Sequence, residues 1–314
     1  MNDINVDLFG KNIKAEPLKI NIYADEIQPK ECSTTKQKWF YIGIIVESLA
    51  NPLLDDIVAE RYCGNIDKNS AYFIKNDRAL HWSEISDADT KNIAERWLKY
   101  IMTPDKSRNK FYCYILGIND SLLSKDEFGG KDFTNRYNRF FRSCVLYALK
   151  CFFPFRNIVI ENIYHEEGPQ SQHEYFPWHI INKFSEKQKN IEFNCSKIEF
   201  LPKSHRNDKK SNIVQLVDLF MGVTTSIIHG VEDSKATEYR KPLMDLAVPL
   251  VQRMIDAPKN RNSNFQYANR IMIAFFPKTK SEPGDRQRLT QQFFTKRDLV
   301  YCNKDQDCLP GLYF

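Results

Sequence analysis

Residues 211–228, SNIVQLVDLFMGVTTSII, form an apolar run with a single charged side chain, Asp218. The run is apolar enough to be a buried helix. On a helix, Ser211, Gln215, Asp218, Gly222 and Thr225 recur at steps of four and three and make one polar or small stripe, with Asp218 in its middle. A buried carboxylate is costly unless it is paired, hydrogen-bonded or bound to a metal. The stripe therefore predicts a partner for Asp218, and the setting favours a divalent cation shared with other carboxylates.

The chain has 314 residues, 42% hydrophobic and 13% aromatic, enough to bury a sizeable core and outside the disordered class. Apolar stretches such as 40–46 are too short to cross a bilayer. The opening MNDINVDLFGKN shows no basic-then-apolar export signal, so the expectation is a cytoplasmic protein with no membrane segment. The eight cysteines include no CxxC pair. Several, such as Cys113 and Cys144, lie in apolar segments and read as reduced core thiols. Cys302 and Cys308 lack a nearby His or third Cys that would complete a metal site. A net charge of +5 permits a nucleic-acid partner without demanding one. Basic residues gather in 203–210 and in the C-terminal third, where a solvated face is the ordinary alternative.

Strands and helices alternate along the chain. Residues 18–25 (LKINIYAD) alternate as a strand, 28–30 read as a turn, and the continuous apolar 39–46 (WFYIGIIV) reads as a central strand. A helix follows over 51–62. Segments 71–75 and 80–85 read as short strands, 87–102 as a helix ended by Pro104, 111–118 as a strand, 134–152 as a helix and 157–163 as a strand. Segment 175–187 looks helical, 191–201 strand-like, 241–255 helical and 270–276 a strand. This order implies an α/β domain, a mixed sheet with helices on both faces. The pattern changes after 230, so the division expected is a domain over 1–230 and a C-terminal α/β extension over 231–314 packed on it.

Asp25 ends the first strand, with Glu26 beside it on the opposite face by strand alternation. A strand-end acid that merely begins a turn is the ordinary reading. Other segments fall into a known order, however. Tyr23-Ala24-Asp25-Glu26-Ile27, then WFYIGIIV, then Leu80-His81-Trp82-Ser83-Glu84-Ile85, then Asn157-Ile158-Val159-Ile160-Glu161, then 198–204 (IEFLPKS), then Gln215-Leu216-Val217-Asp218-Leu219 resemble the family catalogued as domain of unknown function 3800. The likeness spans residues 18–222. It departs at Ile27, where the family has Ser, at Val217, where it has Ala, and at Glu161, where Asp is more usual.

The resemblance implies a ribonuclease H-like mixed sheet flanked by helices, with Asp25 on its central first strand and Asp218 on the helix that crosses it. It implies a metal-dependent nuclease that hydrolyses phosphodiester bonds of RNA or DNA, with Asp25, Glu84, Glu161 and Asp218 as its catalytic residues and a setting in anti-phage or mobile-element defence. Such chemistry needs carboxylates converging on cations, here Mg²⁺ or Mn²⁺ held by Asp25, Glu26, Glu161 and Asp218. Asp120, another strand-end acid, rivals Glu161 for its slot. Lys203, Ser204, His205, Arg206 and Gln215 are candidate substrate contacts, the cations through phosphates. His165-Glu166-Glu167-Gly168 could form a metal or acid–base cluster, but a solvated surface is the plainer reading of this acid-rich stretch, as it is of His205. The competing function is a catalytically inactive nucleic-acid-binding or scaffold subunit of the same fold. A partner protein or a homodimer is compatible with either. No GxxxxGK[ST], GxGxxG after a strand, HExxH or GxSxG motif occurs, which argues against a nucleotide-driven motor, a dinucleotide oxidoreductase, a zincin and an α/β-hydrolase.

Overall fold

A computed structural model describes residues 16–32, 35–65, 67–107, 109–126, 128, 130–153, 156–174, 176, 190–230, 237–256 and 270–277. The chain begins with two long antiparallel strands, β1 (Leu18–Glu31) and β2 (Lys38–Ser48). Helices α1 (Leu54–Tyr62), α2 (Ala71–Asn76), α3 (Ala88–Met102) and α4 (Pro104–Ser107) follow, with a 3-10 turn at Trp82–Glu84 between α2 and α3. Next come β3 (Tyr112–Asn119), α5 (Phe133–Phe152) and β4 (Ile158–Glu166). Two three-residue strands, β5 (Ile191–Phe193) and β6 (Glu199–Leu201), precede α6 (Ser211–His229), α7 (Thr237–Asp256) and β7 (Ile271–Phe276).

The strands form one mixed sheet in the order β5-β4-β1-β2-β3-β7, with β6 also on β4. β2 runs antiparallel to its two neighbours, β1 and β3, and β4 runs parallel to β1. Strand alternation divides the sheet's side chains between two cores. Tyr23, Tyr41 and Ile45 face α3, α6 and α7. Ile20, Ile22, Ile42 and Ile44 face α5. The sheet is thus covered on both sides, which is why β2 reads as an unbroken apolar run.

Several local expectations are corrected. β1 does not stop at a turn over 28–30; it continues to Glu31, with a register shift against β2 between Ile27 and Lys30. Residues 71–76 are helical, because Ser70 Oγ caps the Phe73 N–H at 3.0 Å. Residues 80–85 hold the 3-10 turn, not a strand. β4 runs three residues past Ile163. The helix expected over 175–187 lies outside the described residues except for Phe176. Beyond residue 230, β7 adds to the sheet parallel to β3, and Leu243, Ala247, Leu250 and Val251 of α7 enter the same core as α6. The described parts of the C-terminal extension therefore share the sheet and core of the preceding domain.

By length and composition α6 could cross a membrane, contrary to the expectation that every apolar stretch is too short, but 83% of its apolar window is buried inside the fold. Among the described residues no cysteine forms a disulfide. Burial pushes the Cys113 and Cys144 thiols well up, as inert core groups.

Candidate carboxylate site

Asp25 lies on the same face of β1 as Tyr23 and is buried, with 4% of its surface exposed. Its partner across the ladder in β2 is Gly43. A Cβ on Gly43 would lie 2.8 Å from Val217 Cγ1 and 3.0 Å from Met221 Sδ. The glycine thus lets α6 press onto the sheet beside Asp25, at the turn of helix that carries Asp218. A second close approach fixes the other side of that helix. A Cβ on Gly222 would lie 2.2 Å from Trp82 Cγ, so only glycine admits the indole there. Trp82 is anchored further by its Nε1–H, which donates to Ser226 Oγ at 3.0 Å. Its backbone N–H donates to Asp218 Oδ2 at 2.7 Å. His81 Nδ1 stands 3.6 Å from the same oxygen. The small stripe of α6 is therefore a seat for residues 80–82.

The third acid is Glu166, at the end of β4. Ala24 pairs with His165 in the parallel β1–β4 ladder, which sets Glu166 next to Asp25. The Glu166 carboxyl is close enough to act on the Asp25 carboxyl directly. Burial pushes the Asp25 carboxyl well above its usual range, and the charges of Glu166, Asp218 and Glu26 push it the same way. Glu166 Oε1 is buried and accepts no hydrogen bond; the Lys203 ammonium lies 3.5 Å from it. The Asp218 carboxylate holds the His81 imidazole above its usual range, Glu166 and Glu84 add to that, and burial opposes it.

Glu26 points to the other side of the sheet, as alternation requires. Gln170 Nε2 donates to its Oε1 at 3.0 Å, and His165 Nε2 is 3.5 Å from its Oε2. Burial raises its pKa to about 7 against the Gln170 hydrogen bond. His165 is fully buried; its Nδ1–H donates to the Glu166 carbonyl at 2.7 Å, and its Nε2 accepts from the Tyr137 hydroxyl at 2.6 Å. This second layer fixes the end of β4, and with it the aim of Glu166.

The remaining sequence candidates divide. Glu161 stands away from the acids. The ladder passes from Ile20–Ile160 to Asn21–Asn162, leaving Glu161 as the extra residue of a bulge. It is turned to Lys19 Nζ at 3.1 Å and Asn194 Nδ2 at 2.9 Å. Its rival Asp120 is buried against Arg136 Nε at 2.8 Å, which makes it a structural pair. Glu84 is exposed on the 3-10 turn and reaches the cluster only through its charge on His81. Gln215 is buried and cannot meet a substrate. Its Oε1 accepts from Arg61 at 2.6 Å and from the Leu80 N–H at 3.0 Å, and its Nε2 donates to the Lys203 carbonyl at 2.8 Å. His205 is buried as well, 2.7 Å from Asp77 Oδ1. Arg206 is exposed and spends its Nε–H on Asp77 at 2.6 Å. Ser204 Oγ accepts from the Arg206 N–H at 3.3 Å. Of the five proposed substrate contacts, Lys203 alone reaches the carboxylates.

Sequence reasoning set Glu166 aside as part of a solvated acid-rich loop and gave His81 no role. A signal for Glu166 exists in IVIENIYHE. Ile158 and Ile160 alternate, but the next residue on their face is Ile163, three positions on. That phase slip marks a bulge, and past it Tyr164 and Glu166 fall on the face of Tyr23 and Asp25.

The donor set is chemically suited to a hard cation: three carboxylates crowded together, one with a buried oxygen that accepts no hydrogen bond. In the conformation described, the set is not yet closed around a point. Among the described residues no three His, Cys, Asp or Glu side chains stand at metal-binding spacing. Asp218 is held by Trp82 and His81, and Glu166 by Lys203. No protein-family model matches the chain, nor does any curated protein or solved structure.

Proposed function

We propose that the protein is a divalent-metal-dependent nuclease of ribonuclease H-like fold that hydrolyses phosphodiester bonds of RNA or DNA. The observation that carries this reading is the buried Asp25 on the central strand, crowded by Glu166 and Asp218, with no basic residue among the described ones placed to neutralise it directly. The sheet order supports the fold: three antiparallel strands, β1 to β3, extended beyond β1 by the parallel β4 and β5. The resemblance of residues 18–222 to the family of unknown function points the same way.

In this reading Asp25, Glu166 and Asp218 hold the cation, and Glu166 takes the place that the sequence offered to Glu161. A bound Mg²⁺ or Mn²⁺ supplies Lewis-acid stabilisation and a bound water acidic enough to attack at neutral pH. The chain's own residues position and exclude. The Asp25 and Glu166 backbones are set by the parallel ladder, Asp218 by the close helix–sheet packing at Gly43, and the 80–82 segment by Gln215 and Gly222. Lys203 sits at the rim, where its ammonium can leave Glu166 for a phosphate oxygen. We place the protein in the cytoplasm, in keeping with its disulfide-free described cysteines. We place it off the membrane, in keeping with the burial of α6.

A second reading has its own observation. Asp218 and Glu166 already have partners in Trp82, His81 and Lys203, as they would in a subunit that keeps the fold and binds nucleic acid without cutting it. The deciding experiment incubates labelled single-stranded and duplex RNA and DNA with Mg²⁺ or Mn²⁺ and the wild type or Asp218→Asn. Cleavage by the wild type alone supports the nuclease. Binding without cleavage by both proteins supports the scaffold.

A further inference from the structure

The 3-10 turn at Trp82–Glu84 brings a backbone N–H to Asp218, and its two sides are held by different parts of the chain. On the inner side the Trp82 N–H donates to Asp218 Oδ2 at 2.7 Å, and the indole Nε1–H donates to Ser226 Oγ at 3.0 Å. The indole itself fills the space that Gly222 leaves open. All three of these anchors are on α6. The turn's own bonds run from the Glu84 N–H to the His81 carbonyl and from the Ile85 N–H to the Trp82 carbonyl. They make no use of the carbonyls of Ser83 and Ile85. Arg240, on α7, takes both. Its Nη2 donates to the Ser83 carbonyl at 3.1 Å and its Nε to the Ile85 carbonyl at 3.4 Å. Its guanidinium carbon stands 6.0 Å from the centre of the Trp82 ring, at the outer limit of a cation–π contact.

Docking α7 does not require this arginine, since Leu243, Ala247, Leu250 and Val251 already seat the helix in the core. Among the described residues Arg240 has no carboxylate partner; burial lowers its pKa and no neighbouring acid opposes the shift. The guanidinium is thus spent on two neutral carbonyls and one ring, all in residues 82–85. Ser83 and Glu84 are exposed. Between Trp82 and Asp87, the cap of α3, the buried Ile85 side chain is the other anchor. Resting on the reading above that Asp218 works in cleavage, we propose that Arg240 is a positioning residue: it clamps the 82–85 turn against α6 and so keeps the Trp82 N–H on Asp218 Oδ2. With Oδ2 held, the carboxylate is fixed in one rotamer and Oδ1 is left to act. A carboxylate free to swing would lose rate and keep substrate affinity, because a misplaced group costs most in the transition state. The clamp makes α7, beyond the expected domain boundary at 230, part of the framework of the site.

The test uses the full chain as wild type, Arg240→Met, which keeps the stem and removes the donors, and Arg240→Lys, which keeps the charge. Hydrogen–deuterium exchange is read by mass spectrometry over peptides covering 80–86 and 211–229. The inference expects exchange in 80–86 to be faster by about tenfold or more in Arg240→Met, less so in Arg240→Lys, with α6 unchanged within about twofold. On a nucleic acid that the wild type cleaves, kcat should fall by about tenfold in Arg240→Met with KM unchanged within about twofold, and Arg240→Lys should recover part of kcat. Exchange in 80–86 equal to that of wild type overturns the inference. So does an unchanged kcat, or a raised KM at constant kcat, which would make Arg240 a substrate contact. Loss of protection throughout α6 in both variants also overturns it, because the bonds would then support the whole fold and not the turn. If the wild type cleaves no nucleic acid, the nuclease reading falls, and the exchange result alone decides whether Arg240 holds the turn on Asp218.

Discussion

β1 and β2 bury one carboxylate near an end of their ladder and another at its middle, and the two are served in opposite ways. Near one end Glu47, paired across the ladder with Asn21, accepts from the Leu53 and Leu54 N–H groups at 2.7 and 3.1 Å and from the Tyr23 hydroxyl at 3.0 Å. It closes the N-terminus of α1, where exposed N–H groups and the helix dipole both favour an anion. At the middle of the ladder Asp25, paired with Gly43, is crowded by Glu166 and Asp218 with Glu26 on the opposite face, and burial and these charges raise its pKa together. Burial is alike at the two places, 3% and 4% exposed. What differs is the supply of donors. A buried acid matched to hydrogen-bond donors stabilises the fold, and one crowded by other acids stores repulsion that a bound cation would relieve. Asp120 falls with Glu47, since Arg136 answers its charge at 2.8 Å.

Substitutions should separate the two. The largest effect is expected at Asp25→Asn. It should lower cleavage by roughly 10³-fold or more while leaving the melting temperature equal to or above that of wild type, because it removes a crowded charge. Cleavage assays and calorimetry on the same preparation check this. Glu47→Ala should do the reverse, at a cost of about 3 kcal/mol in unfolding free energy from the uncapped α1 and the bereft Tyr23 hydroxyl. Denaturant titration reads it, and metal affinity at Asp25 should be unchanged. Gly222→Ala should cost about 2 kcal/mol by overpacking against Trp82. Unlike Glu47→Ala it should also weaken activity, since Trp82 and His81 move with it.

A smaller effect concerns pH. Burial and the nearby Arg61 lower the His205 pKa to about 4, against the opposing hydrogen bond to Asp77, and the unfolded value is about 6.5. The unfolded chain therefore takes up the proton first. The stability due to neutral His205 is complete above about pH 6.5 and is lost as pH falls from there through about 4. Melting temperature should fall over that window, and His205→Gln should fall less steeply. Glu161→Gln is the control: a half-buried residue on a bulge, turned to Lys19 and Asn194 away from the acids, whose replacement should leave cleavage unchanged.

Asp218 and Asp25 were legible because each violates a local pattern, one as the only charge in an apolar helix, the other at the close of a clean alternation. The α/β class was legible for the same reason, through the periods of 2 and 3.6. Glu166 was hidden by a single extra residue. Alternation read straight through 157–163 stops at Glu161, and the bulge that shifts the phase shows only as the three-residue step from Ile160 to Ile163. The roles of Gln215 and His205 were hidden for another reason. Gln215 reads only as part of a polar stripe and His205 as a surface residue, and their partners, Arg61 with the Leu80 N–H and Asp77, are more than a hundred positions away in sequence. The helix at 71–76 was masked by its apolar content, although Ser70 is an ordinary capping residue.

The most direct test of the carboxylate cluster is the melting temperature of wild type and Asp25→Asn with and without saturating Mn²⁺. A ligand at a hundred times its dissociation constant stabilises the folded chain by about 2.7 kcal/mol. If Asp25, Glu166 and Asp218 hold a cation, Mn²⁺ should raise the wild-type midpoint by several degrees and leave Asp25→Asn nearly unmoved. No shift in wild type, or an equal shift in both proteins, would contradict the account.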